Sequence, residues 1–113
     1  MDWEWPDELD ALVAAAANHT LLLENERVRV LETRIPAGEK TGVHTHRWPN
    51  VQHVLSSPDF IRRDGEGAVL LDTRSASRPP QSPETLWSEP LPPHSIENVG
   101  ETDLRVIMVE LKG

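Results

Sequence analysis

The pattern of apolar and polar positions changes period once along this chain, near residue 19. Before it, Leu9, Leu12, Val13 and Ala16 recur at the three- and four-residue intervals of one helical face. Pro6 stands at the start, and Asp7 and Glu8 fall in the first turn, where the helix dipole favours negative charge. The pattern predicts a helix from Pro6 to near Asn18. His19 is expected to close it, as a cation suited to the C-terminal end of the dipole with no catalytic role. Trp3 and Trp5, just upstream, are expected at a dimer contact.

Beyond residue 19 the alternation is that of strands. Residues 20–24 and 27–35 are predicted as a pair around Asn25-Glu26, with Val28 and Val30 on one face and Arg27, Arg29 and Leu31 on the other. Shorter strands are predicted at 43–46, 51–55, 60–63, 68–71, 85–88, 95–99 and 104–111. Their separators, such as Ser57-Pro58-Asp59 and Asp64-Gly65-Glu66-Gly67, are rich in turn formers. Pro90, Pro92 and Pro93 are expected to make a turn of their own. Residues 75–83, with three prolines and three serines, read as a surface loop or lid. Many short strands with regular turns imply an all-β sandwich or barrel, here 20–113, preceded by a helical extension over 1–19.

The chain's 113 residues are enough for one such domain and little more. Lys and Arg number 11 against 19 Asp and Glu, a formal charge of −8, and no basic run exceeds Arg62-Arg63. A nucleic-acid backbone is therefore a poor partner. There is no cysteine, so any metal would be held by nitrogen and oxygen. The acidic start Met1-Asp2-Trp3-Glu4 is unlike a secretory signal and the longest apolar run is short, so the expectation is a soluble, cytoplasmic protein with no membrane association.

His44 and His46, two residues apart on a predicted strand, share a face and can converge on a divalent transition metal. Two imidazoles leave most of the coordination sphere open, and His94 is the natural third ligand. His53 is out of phase and is expected to face away. Asn50 and Gln52 share one strand face, from which either amide could hydrogen-bond a metal-bound water. Asn98, four residues past His94, is read either as pocket polarity or as a turn contact. Trp48 and Trp87 are either aromatics at a pocket mouth or core or interface anchors. Arg29, Arg62 and Arg105 are expected to reach solvent or to pair with acids such as Glu32 and Glu110 rather than to orient a substrate.

Gly38, His44 and His46, followed far downstream by His94 and Asn98, resemble the two motifs of the cupin superfamily, G-x5-H-x-H-x3/4-E-x6-G and a second ending H-x3-N. The resemblance covers about residues 20–111 and is narrowest to small single-domain bacterial cupins of the cupin 2 conserved-barrel type. It implies a double-stranded β-helix, or jelly-roll barrel. The chain departs from the pattern in four places. Asn50 stands where the family places a glutamate ligand, Ser57 replaces the closing glycine, and Glu89 and Leu91 occupy the usual proline and glycine of the second motif.

With the glutamate missing, the resemblance implies a neutral three-histidine site of His44, His46 and His94, related to the iron sites of cysteine dioxygenase and diketone-cleaving dioxygenase. Three neutral ligands leave the metal's charge uncompensated and favour an anionic substrate. The function implied is a mononuclear Fe(II) dioxygenase acting on a small organic anion. Two alternatives stand beside it: a non-catalytic small-molecule-binding barrel, and a Lewis-acid isomerase or hydrolase using Zn, Mn or Ni. Small cupins commonly pair through their sheets, which implies a homodimer.

Overall fold

The computed structural model describes residues 3–76 and 82–113. Two antiparallel sheets face one another. The first has five strands in the order β1 (His19–Glu24), β2 (Val28–Ile35), β9 (Leu104–Leu111), β4 (Asn50–Ser56), β7 (Glu84–Ser88). The second has four, in the order β3 (His44–His46), β8 (Leu91–Asn98), β5 (Phe60–Asp64), β6 (Val69–Asp72). The predicted loop or lid at 75–83 falls largely on residues 77–81, outside the described residues.

Strands β2 and β9 form the unbroken centre of the first sheet, paired from Val28↔Leu111 to Ile35↔Leu104. Period-two alternation turns Leu31, Thr33 and Ile35 of β2 inward opposite Met108, Val106 and Leu104 of β9. One apolar cluster gathers Ile35, Val54, Leu104 and Val106 from the first sheet against Phe60 and Ile96 of the second. The other joins Leu31 and Met108 to Ala11 of the N-terminal segment. Full burial of a side chain such as Leu31 is worth about 1.5–3 kcal/mol.

The N-terminal helix is much shorter than its periodicity predicts. A single 3-10 turn, Asp7–Leu9, is followed by α1, Ala11–Ala14. The break lies at Asp10, whose backbone is extended (φ −55°, ψ 144°) because it bridges to Thr45 of β3, while its carboxylate caps α1 by accepting from the Leu12 N–H at 3.0 Å. Tertiary pairing at one residue therefore overrides the helical stripe. The prolines also differ from expectation, since Pro92 and Pro93 lie inside β8 rather than in a turn. The register of β3 against β8 shifts there, between His44↔His94 and His46↔Leu91, and an irregular ladder tolerates residues that cannot donate.

Among the described residues, no helix is long and apolar enough to cross a membrane.

Candidate metal centre

Four histidines meet at one end of the space between the sheets. His44 and His46 share the inward face of β3, and His94, the Cα partner of His44, approaches from β8. Their ring centroids lie 5.1 Å (His44–His46), 4.5 Å (His44–His94) and 5.7 Å (His46–His94) apart. The fourth is His19. Expected to close the helix as a cation, it instead begins β1, buried, with its centroid 4.8 Å from His44 and 5.4 Å from His46. Ligand atoms of His19, His44 and His46 all lie within 4.8 Å of one another.

Hydrogen bonding fixes which nitrogen of each ring is free. The Nδ1 of His19 lies 3.0 Å from the Ala15 carbonyl, that of His44 2.7 Å from the Gly42 carbonyl, and that of His94 2.8 Å from the Pro92 carbonyl. A carbonyl oxygen only accepts, so each Nδ1 donates and each Nε2 keeps its lone pair. The His46 Nδ1 donates to Glu110 Oε2 at 3.1 Å, a carboxylate–imidazole pairing of the kind that orients metal-bound histidines. All four rings are held neutral. Burial pushes His19 and His44 down to about 4, and pushes His46 and His94, which also feel His44, down to about 3. Buried neutral imidazoles with no hydrogen bond at Nε2 among the described residues are donors that fit a divalent transition metal, and the compact group is His19, His44 and His46, with His94 beside it rather than in it.

A chain of charges supports that set from behind. Arg29 donates through Nε to Glu110 and through Nη1 and Nη2 to the Asp10 carboxylate, at 3.0 and 2.9 Å. Arg29 and Glu110 are Cα partners in the β2–β9 ladder, and both are buried. Burial opposes the charge on every member. Arg29 is nonetheless held above its usual value by the two acids, Asp10 is held below its own mainly by Arg29, and Glu110 remains raised. The sequence Asp10, Arg29, Glu110, His46 thus ties the cap of α1 to a site histidine. Arg105 pairs with Glu32, as expected for a strand arginine.

Beside the histidines opens a cavity of about 330 Å³, lined by all four rings and by apolar side chains of both sheets, with Gln52, Thr33 and Arg62 among its polar residues. That volume suits a small organic molecule. The remaining residues singled out in the sequence fall into place around it. Gln52 reaches the cavity, whereas Asn50 is buried behind it, donating to the Trp48 carbonyl and accepting from Gln52 Nε2 at 3.1 Å. Asn98 is a turn residue: its Nδ2 donates to the carbonyls of Ile35 and Thr102, and its Oδ1 accepts from the Gly100 N–H. Neither Trp48 nor Trp87 lines the cavity. Trp48 lies beneath the charged ends of Arg29, Arg47 and Lys112, and Trp87 is 58% exposed, its indole N–H bonded to Glu89. His53 faces outward, bonded to Thr85.

Arg62 is half-buried at the cavity wall. Its Nε is shut off from solvent and has no hydrogen-bond partner among the described residues.

No family model matches the chain. An uncharacterized protein of Methanocaldococcus jannaschii, MJ1618, is 25% identical over 89 residues, which are 79% of this chain; the match spans only 64% of that protein's length. Among solved structures, the fold is similar to a cupin domain of Bordetella pertussis (TM-score 0.68, 24% identity, 84% of this chain and 92% of that one). It is also similar to an RmlC-like cupin with a double-stranded β-helix fold from Methanocaldococcus jannaschii (TM-score 0.59, 12% identity, 82% and 77%). The chain therefore has the double-stranded β-helix fold of the cupins, with a buried histidine cluster lining its barrel cavity.

Proposed function

We propose that this protein is a mononuclear metal-binding cupin in which His44, His46 and His94 hold a divalent metal, Fe(II) in the leading reading, and that it is a dioxygenase for a small organic anion bound in the cavity. His19 adds a further imidazole that the three-ligand scheme did not include. One observation carries the reading: each of the four buried rings has its Nδ1 engaged and, among the described residues, no hydrogen bond at its Nε2.

The residues have distinct tasks. The carbonyls of Gly42, Pro92 and Ala15 and the carboxylate of Glu110 hold the rings in one tautomer, ready for a metal without reorganisation. Bound there, iron would supply the redox chemistry through which dioxygen reacts with a closed-shell organic molecule. An all-imidazole set adds no negative charge, so an anionic substrate is drawn to the site. The apolar walls keep water from the reacting groups.

A second reading rests on the same donors. Imidazole also suits zinc and nickel, which would polarise a substrate as a Lewis acid without oxygen chemistry. Dioxygen uptake separates the two. Protein loaded anaerobically with Fe(II) is exposed to air-saturated buffer with a panel of 1,3-diketones, short carboxylic acids and thiols. The dioxygenase reading predicts substrate-dependent uptake that His44→Ala abolishes. Stoichiometric iron with no uptake across the panel would contradict it and leave the Lewis-acid reading.

A further inference from the structure

Arg62 is an unusual arginine in this chain. Arg29, Arg34, Arg63, Arg74 and Arg105 each hold a carboxylate at 2.8–2.9 Å, and among the described residues Arg62 holds none. It lies on β5 in register with Ile96 of β8, while Asp64, two residues on, is in register with His94. Arg62 is therefore a diagonal neighbour of His94 on the cavity face, a separation of about 7–8 Å that a long side chain spans. Its positive charge is felt at both His46 and His94.

Burial without a partner costs about 1–3 kcal/mol for a polar group and more for a charged one. The described residues leave two buried polar side-chain atoms without a hydrogen bond, Arg62 Nε and Thr33 Oγ1, and both residues line this cavity. A guanidinium fork and a hydroxyl, set in apolar walls within reach of the histidine cluster, match one kind of guest: a planar oxyanion that accepts two parallel hydrogen bonds. An inorganic anion would leave the apolar walls without contact.

We propose that Arg62 is the carboxylate-binding residue of this cavity, and that its ligand is a short-chain carboxylic acid whose second oxygen or sulfur donor faces the histidines. The placing of that second donor rests on the metal-binding function proposed above. The contact between carboxylate and guanidinium does not.

The test uses calorimetric titration of the full chain, metal-free and metal-loaded, with 3-hydroxybutanoate and its neutral amide as probes. Wild-type protein is expected to bind the acid more tightly than the amide. Arg62→Gln should weaken acid binding at least about tenfold, the loss expected for a charged hydrogen bond, and leave the amide unchanged. Arg62→Lys should recover part of the difference, because it restores charge but not the planar fork. Metal content of both variants should match wild type, and Arg62→Gln, which removes a charge that lacks a partner in the ligand-free cavity, should melt no lower than wild type. Equal binding of acid and amide, an unaltered affinity in Arg62→Gln, or no binding of the acid by wild type would each overturn the proposal. Wild-type protein that takes up no metal but still binds the acid through Arg62 would sink the metal-centre reading and leave the carboxylate contact standing.

Discussion

At the scale of single residues, the central pair is His46 and Glu110. Glu110 accepts from both His46 and Arg29, and it is fully buried. In Glu110→Gln the side-chain amide would turn a donor toward one of two donors, so either the Arg29 contact or the His46 tautomer is lost. The expected cost is about 1.5–3 kcal/mol by urea denaturation, moderated because Arg29 keeps Asp10. Metal affinity should fall about 10- to 100-fold in a chelator-competition titration. An affinity equal to wild type would show that Glu110 does not position His46.

The same scale shows what the sequence makes readable. His44 and His46 share a face because strand periodicity is two, and any strand assignment gives that. The convergence of His94 needed the barrel pattern as well. His19 was out of reach, because its place depends on Asp10 breaking the helix early, and that break is made by contacts with Arg29 and Thr45, 19 and 35 residues away. The setting of Arg62 was out of reach for a related reason: a strand arginine has a partner or none according to which residues lie across the cavity, and spacing does not carry that.

Among the elements, the strands follow their alternation closely, and the departures occur where a second element presses on the first. The loop before β3 is such a place. A Cβ on Gly42 would lie 2.7 Å from the carbonyl oxygen of Ala14, a backbone atom at the end of α1. Gly42→Ala is therefore expected to cost about 1–3 kcal/mol, as overpacked sites do. It should also weaken metal binding, because the Gly42 carbonyl orients His44. Gly38, in the turn before it, has a positive φ of 82° with nothing close to a Cβ. Gly38→Ala should cost about 1–2 kcal/mol from the left-handed backbone alone and leave metal binding intact. If both variants lowered stability and metal affinity alike, α1 would have no particular hold on the site.

For the whole molecule, the arrangement is one of contrast between surface and interior. The chain carries a net charge of −8, yet the interior between its sheets gathers four imidazoles and an arginine, Arg62, that holds no carboxylate among the described residues. A divalent metal bound there and absent from the unfolded chain would stabilise the fold by about 2.7 kcal/mol at a free concentration a hundred times its dissociation constant. The measurement that bears most directly on this account is elemental analysis of protein purified without chelator, wild type beside His19→Ala, His44→Ala, His46→Ala and His94→Ala, each checked for folding by thermal melt. Wild type is expected to hold about one transition-metal ion per chain, lost or sharply reduced in His44→Ala, His46→Ala and His94→Ala and weakened in His19→Ala. Wild-type protein that holds no metal, and takes up none on reconstitution, would contradict the account.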